Sequence, residues 1–114
     1  MQTMSLPIVS AYADAKEVAF SGGLARIVGE RAQTDGVFSV QHFSLRPGET
    51  TPVDNHRHHD KALFVLDGEA RGVLGNRDWE ATGGAFVWLP RGIDHTFESV
   101  GARSLEVLVM TIPD

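Results

Sequence analysis

The feature that most constrains the fold of this chain is a regular succession of short runs rich in Val, Leu, Ile and Phe, each ended by a turn signal. No amphipathic stripe with helical spacing accompanies these runs. The candidate strands are Leu24–Val28, Val37–Leu45, Ala62–Leu66, Ala70–Leu74, Ala85–Leu89, His95–Ser99 and Ser104–Ile112. Such a pattern predicts an all-β protein, and a double-sheet jelly-roll barrel fits the number of strands.

Two local signals refine this prediction. Asp67-Gly68 lies between two apolar runs and predicts a β-hairpin, because glycine accepts the positive φ that tight turns need. Near the start of the chain, Ser10–Glu17 is predicted as either a short helix or a loop, followed by a strand over Val18–Phe20.

The last apolar run, Leu105–Ile112, is apolar on both faces, with only Glu106 and Thr111 interrupting it. A strand of this kind has the core on one side and another sheet or another subunit on the other. We therefore expect a homodimer.

Composition favours one compact domain over residues 1–114. The absence of cysteine excludes disulfides, thiolate nucleophiles and cysteine-type zinc sites. A net charge of −5, with ten Lys and Arg scattered singly, argues against a nucleic-acid partner. The chain shows neither a secretory signal nor the roughly 18 apolar residues of a spanning helix, so we expect a cytoplasmic protein with no membrane partner.

Three histidines outline a metal site. His56 and His58 are two residues apart, and in an extended segment they would point to the same face, roughly 6–7 Å from each other. His95 opens a predicted strand and would approach from a distant part of the chain. Three neutral imidazoles suit Fe, Zn, Ni or Cu and do not suit Ca²⁺ or Mg²⁺.

Two motifs around these histidines resemble those of the cupins, a family of small barrels. The first is similar to Gly-x5-His-x-His-x3–4-Glu-x6-Gly and spans about residues 48–68, with Gly48, His56, His58 and Gly68. The second is similar to Gly-x5-Pro-x-Gly-x2-His-x3-Asn and spans about residues 84–99, with Gly84, Pro90, Gly92 and His95. The resemblance covers about Arg46 to Ser99 and implies a single cupin domain, a jelly-roll fold and a homodimer.

The chain departs from the family pattern at the position of the metal-binding glutamate, which is Lys61, and at the asparagine position, which is Ser99. A protonated amine is repelled by a divalent cation, so direct ligation by Lys61 is not expected. Three alternatives remain open: three histidines with water, a fourth ligand from His59 or Asp60, or a site that has lost its metal.

Strand alternation predicts a largely apolar pocket if the faces of His95 and Lys61 point into the barrel. An aromatic or partly hydrophobic organic molecule would then be the ligand. The predicted lining residues are Leu63, Val65, Phe97 and Ser99, with Trp88 as a candidate for the pocket mouth.

The predicted function is that of a metal-binding cupin that acts on a small organic molecule. Three neutral histidines leave the metal with most of its charge, which favours an anionic or enolate-like oxygen. The resemblance implies dioxygenase chemistry with iron, whereas zinc would favour an isomerase, lyase or cyclase. Lys61 would be a general base if it were neutral, and Asp60 and His59 are further candidates for catalytic or substrate-binding residues. The competing hypothesis is a ligand-binding cupin without catalysis.

Overall fold

A computed structural model describes residues 7–20, 23–55 and 57–113 of the chain. In this part of the chain the strands are β1 (Lys16–Phe20), β2 (Gly23–Gly29), β3 (Ser39–Leu45), β4 (His59–Asp67), β5 (Glu69–Leu74), β6 (Arg77–Thr82), β7 (Phe86–Leu89), β8 (His95–Ser99) and β9 (Leu105–Pro113). They form a six-stranded sheet in the order β1-β2-β3-β9-β4-β7 and a three-stranded sheet in the order β6-β5-β8. The predicted all-β jelly-roll barrel is confirmed.

The two sheets share one cluster of buried apolar side chains, which is the hydrophobic core. Strands of the larger sheet contribute alternate residues, since the side chains of a strand point to opposite faces in turn. Each fully buried Leu or Val contributes roughly 1.5–3 kcal/mol to the stability of the fold. The cluster comprises Leu45, Leu63, Val65, Ala70, Ala81, Leu89, Phe97, Leu105, Val107 and Val109.

The centre of the larger sheet is β9, which pairs antiparallel with β3 on one side and with β4 on the other. Its inward residues, among them Leu105 and Val107, are fully buried. Its outward residues Leu108 and Met110 are half-buried. Both faces of β9 are therefore apolar, as the sequence pattern indicates.

The N-terminal part of the described chain contains a helix of one turn and then a strand. Residues Tyr12–Asp14 form a 3₁₀ helix, and β1 begins at Lys16, so the predicted strand over Val18–Phe20 is confirmed and is longer than expected. In the described residues no helix is long and apolar enough to cross a membrane.

Strand β6 was not predicted. Its sequence is dominated by exposed polar residues, and only Trp79 and Ala81 turn toward the interior. Two inward side chains in six residues give too short an apolar run to be recognised as a strand.

The predicted hairpin at Asp67-Gly68 is wrong. Strand β4, before this turn, pairs with β7 and β9, whereas β5, after it, pairs with β6 and β8 in the other sheet. Gly68 does adopt a positive φ of 90°. The turn therefore moves the chain from one sheet to the other at a corner of the barrel.

This corner leads to a prediction about Gly68→Ala. A Cβ atom at Gly68 would lie 2.7 Å from the Ser104 carbonyl oxygen and 2.9 Å from Leu105 Cα, both backbone atoms. Gly48 is the matched control, because it has a similar φ of 86° but a Cβ atom there would meet no heavy atom within 4 Å. We expect Gly48→Ala to lower the free energy of unfolding by about 1–2 kcal/mol, through backbone strain alone.

Gly68→Ala should lower the free energy of unfolding by at least about 1 kcal/mol more than Gly48→Ala does, because the chain must also shift to relieve the backbone clash. Urea denaturation of the two variants measures the difference. Equal losses would show that the close approach at the corner is unimportant.

Candidate functional site

A pocket of about 260 Å³ opens between the two sheets. Most of its lining is apolar and comes from both sheets, and its polar lining residues are Thr51, Asp54, Lys61 and His95. This combination is typical of a site for a small organic molecule. The lining residues are Phe43, Thr51, Pro52, Asp54, Lys61, Leu63, Leu89, His95, Phe97 and Val109.

His95 is the first residue of β8 and has only 8% of its surface exposed. Its backbone N–H donates to the Asp54 carbonyl oxygen at 2.8 Å, and its own carbonyl accepts from the Asp54 N–H at 2.9 Å. A buried imidazole is thus held against the pocket by an antiparallel bridge to Asp54.

The segment that contains Asp54 runs along β8 and forms one rim of the pocket. The Thr51 N–H donates to the Phe97 carbonyl oxygen at 2.8 Å, and the Asn55 side-chain amide donates to the Asp94 carboxylate at 2.8 Å. These bonds hold the rim to β8 along its length. Asp54 therefore has a defined place beside His95, although it lies outside any strand.

Lys61 reaches the pocket from β4, on the same face of the strand as Leu63. Burial lowers the pKa of the Lys61 amine below its ordinary value of 10.5, and the Asp54 carboxylate opposes this shift in part. Desolvation has this effect because the charged form loses its hydration in an apolar environment. The amine is thereby suited both to bind an anion when protonated and to accept a proton when neutral.

The other predicted histidines are distributed differently. His58 lies in a bend just before β4 and is exposed, rather than in the extended segment that the sequence predicted. His59 is half-buried within β4. His56 lies outside the described residues, so the three-histidine set stays a prediction.

The described residues do not by themselves fit a metal ion. Over residues 7–20, 23–55 and 57–113, no three His, Asp or Glu side chains gather closely enough to hold one. Of the residues that the structure describes, those that line the pocket include one imidazole, of His95, and one carboxylate, of Asp54, together with the Lys61 amine. Transition-metal sites use three or four ligands, and a protonated amine repels the cation.

Asp60 does not belong to the pocket, which corrects its prediction as a ligand or substrate-binding residue. It lies on the opposite face of β4 from Lys61, and the Arg91 guanidinium contacts its carboxylate at 3.0 Å. The Arg91 backbone N–H donates to the same carboxylate at 2.8 Å. Hydrogen bonds from the Arg91 side chain and backbone lower the pKa of Asp60.

The predicted lining residues divide into three groups. Leu63 and Phe97 line the pocket, while Val65 and Ser99 are fully buried at deeper positions of the same strands. Trp88 is a correction: it is 46% exposed and points to the outer face of β7, whereas its neighbour Leu89 lines the pocket.

Several pocket residues were missed from the sequence. Asp54 belongs to a polar stretch that has the composition of a solvated loop, and Phe43 and Val109 have the pattern of ordinary core residues. The available signal for Phe43 and Val109 was their alternation on predicted strands. No local signal marks Asp54, because its bridge partner His95 is distant in the chain.

The chain matches one protein family and is similar in fold to several solved structures. The family model for the cupin domain (Cupin_2) matches residues 41–111. No curated protein sequence matches the chain.

Several solved structures are similar to the chain. A predicted oxalate decarboxylase from Thermotoga maritima is 18% identical with a TM-score of 0.84, over 94% of this chain and 100% of that one. The polyketide cyclase RemF from Streptomyces resistomycificus is 23% identical with a TM-score of 0.77, over 96% of this chain and 81% of that one. A cupin 2 domain-containing protein from Halorhodospira halophila is 26% identical with a TM-score of 0.75, over 82% of this chain and 66% of that one.

The fold and the sequence match indicate the same family. They do not determine the activity, because proteins with the same barrel fold catalyse many different reactions. The family match covers more than half of the chain and includes β4, β8 and most of β9. This protein belongs to the cupin family.

Proposed function

We propose that this cupin binds and acts on a small organic molecule that has an apolar body and an acidic oxygen, in the pocket between Lys61 and His95. The observation that supports this most is the presence of the amine and the imidazole in one pocket of about 260 Å³. The apolar walls, from residues such as Leu63 and Phe97, would contact the body of the ligand.

The charges of the polar groups in the pocket determine which class of ligand it would bind. A protonated Lys61 would donate hydrogen bonds to a carboxylate or enolate oxygen, and such charge-assisted bonds are stronger than neutral ones. The amine has already lost much of its hydration, so an anion in the pocket restores favourable interactions to it. Asp54, on the rim, would repel anions that approach away from the amine.

The chemistry open to this site is proton transfer. A neutral Lys61 amine would accept a proton from a carbon next to a carbonyl, and the His95 imidazole would donate or accept one on its side of the pocket. Isomerase, lyase and cyclase reactions all include such steps. Burial lowers the pKa of Lys61, so less free energy is needed to form the neutral amine than for an exposed lysine.

A second candidate is the metal-dependent enzyme predicted from the sequence, with a divalent transition metal held by His56, His58 and His95. The observation that favours it is the buried His95 imidazole on the pocket wall. Cupins commonly hold transition metals, and a bound iron would supply dioxygenase chemistry. We assign no step to a metal, because the described residues do not complete its site.

The anion-binding role of Lys61 is tested with matched probes. We expect benzoate to raise the melting temperature of the protein and benzamide, its uncharged analogue, to have little effect, since stabilisation follows ligand affinity. Lys61→Met should weaken benzoate binding by roughly tenfold or more, about 1.4 kcal/mol. The only other lysine of the chain, Lys16, is exposed, and Lys16→Met is the control that should bind benzoate normally. Equal binding of benzoate and benzamide would contradict the proposal.

The buried amine also predicts how stability depends on pH. The pKa of Lys61 is lower in the folded state than its ordinary value of 10.5. Between these two pKa values the unfolded chain holds the proton more tightly, so this residue makes the free energy of unfolding rise with pH. We expect Lys61→Met to remove that rise and to be more stable than the wild type near neutral pH. Urea denaturation at a series of pH values measures both effects, with Lys16→Met as the control. An unchanged pH profile in Lys61→Met would contradict the prediction.

The metal-dependent candidate is tested by elemental analysis of untagged protein. We expect about one equivalent of Fe, Zn, Ni or Cu if the candidate is right, and a large loss of that metal in His95→Ala. His42→Ala is the control, because His42 lies on the outer face of the larger sheet and hydrogen-bonds to Tyr12. Less than about a tenth of an equivalent, unchanged by added Fe(II), Zn(II) or Ni(II), would exclude the metal centre.

Turnover separates the enzymatic proposals from a purely ligand-binding protein. Oxygen uptake with diketones, flavonols or catechols would support dioxygenase chemistry, and it should vanish in His95→Ala. Stabilisation by benzoate without turnover of any related substrate would favour the binding protein.

A further inference from the structure

We propose that Trp79 is a positioning residue that sets the size of the pocket through the ring of Phe97, and that it limits the ligand to an acid with a single ring. This inference rests on the proposed function, because it takes the pocket beside Lys61 as the binding site. Trp79 is not one of the residues that line the pocket. It lies on β6, at the edge of the smaller sheet, so its effect on a ligand must pass through a residue of the pocket wall.

Trp79, Gly72 and Phe97 form one row across the three strands of the smaller sheet. Gly72 of β5 pairs with Trp79 of β6 on one side and with Phe97 of β8 on the other. Paired residues of neighbouring strands point to the same face of a sheet, so the two aromatic side chains lie on either side of a position that has no side chain. The ring centroids of Trp79 and Phe97 are 6.3 Å apart, with 43° between the ring planes. The two rings therefore contact each other across the glycine.

Gly72 provides the space that the indole occupies. It is a regular residue of β5 without a positive φ, so its backbone conformation does not require glycine. A Cβ atom at this position would overlap Cε2 and Cζ2 of Trp79 and would lie 2.6 Å from its Nε1. A glycine inside a strand often marks a close approach of this kind. The Trp79 ring thus lies directly against the backbone of β5, next to Phe97.

Phe97 is the part of the pocket wall that the indole supports. Its side chain lines the pocket, and only 5% of its surface is exposed. Its backbone is fixed to the rim of the pocket, because the Phe97 N–H donates to Thr51 Oγ1 at 3.0 Å and the Phe97 carbonyl accepts from the Thr51 N–H at 2.8 Å. The position of the ring then depends on the side chains that surround it. The indole of Trp79 fills the space over Gly72 into which the Phe97 ring would otherwise move.

The Trp79 Nε1–H is buried and has no hydrogen-bond acceptor among the described residues. A buried donor without an acceptor lowers the stability of the folded state. A phenylalanine at this position would place a ring over Gly72 without that cost. The indole is thus not the side chain that stability alone favours, which supports a role for it in the shape of the pocket.

The volume of the pocket indicates the size of the ligand. At about 260 Å³ it lies just below the usual range of about 300–1,000 Å³ for small-molecule pockets. An apolar cavity of about 150 Å³ can hold benzene, so this pocket has room for one ring with a carboxylate group. A second fused ring would require the Phe97 ring to move towards Gly72, where the indole lies. We therefore expect the pocket to accept single-ring acids and to exclude two-ring acids.

The binding of benzoate and 2-naphthoate, measured by calorimetry, tests the inference, because the two acids differ by one fused ring. We expect the wild type to bind benzoate more tightly by roughly tenfold or more, since one extra methylene in an apolar pocket already costs about 10–200-fold. Trp79→Leu should lower this ratio by roughly tenfold, because the Phe97 ring can then move over Gly72. Trp79→Phe keeps a ring over Gly72 and should retain most of the ratio.

Ala81→Gly is the matched control. Ala81 is buried on the same face of β6 as Trp79, but it pairs with Ala70 and so lies outside the row that contains Phe97. This variant should lose stability and keep the wild-type ratio. An unchanged ratio in Trp79→Leu, or equal binding of the two acids by the wild type, would overturn the inference and leave the proposed function intact. If neither the wild type nor Trp79→Phe binds benzoate, the proposed function fails and the inference fails with it.

A spectroscopic readout requires no change in the pocket or its wall. The chain has two tryptophans, and the loss of one indole N–H resonance in Trp88→Phe assigns both signals in the proton NMR spectrum. We expect benzoate to shift the resonance of Trp79, which contacts the pocket wall. The resonance of Trp88 should stay in place, because this residue is 46% exposed on the outer face of β7. A Trp79 resonance that does not move when benzoate is bound would overturn the inference.

Discussion

The two-residue alternation of β4 determines which side chains line the pocket and which lie on the outer face of the larger sheet. Lys61, Leu63 and Val65 point into the barrel, and the residues between them point out. Because β4 is paired in register with β7 and β9, the same alternation continues across the sheet. A slip of one residue would exchange the pocket amine with an outer-face side chain, so the register and the site are determined together.

The chemistry of the pocket follows from placing a lysine among apolar side chains. Where the cupin motif has an acidic residue, this chain has an amine whose pKa burial lowers. In the proposed function, this reversal of charge means that the position binds an anion, where a carboxylate would bind a cation. The bridge between Asp54 and His95 holds a carboxylate and an imidazole at the pocket that Lys61 also lines. Acidic and basic groups therefore line the same small pocket.

Sequence patterns correctly predicted the strands that have long apolar runs. They failed where the structure depends on pairing with distant segments of the chain and not on the local sequence. Strand β6 has too few inward residues to be recognised, although its pairing with β5 makes it a regular strand. At Gly68 the turn geometry was predicted, but the pairing partner was not, because a turn of this kind serves equally well in a hairpin and at a corner. The sequence prediction placed Asp60 and Trp88 near the site because they are close to other site residues in the chain. Each of them is next to an inward-facing residue of its strand and therefore faces outward.

The sequence by itself determined the all-β class, the family motifs, the candidate residues His95 and Lys61, and the apolar character of both faces of β9, because each depends on residue type and on spacing within short segments. Only the tertiary structure decided which sheet each strand joins, that Asp54 lies beside His95, and that three aromatic rings gather on one outer face. These features arise from pairing between segments that are distant in the chain. Such pairing is selected by the packing of the whole barrel, and no short stretch of sequence encodes it.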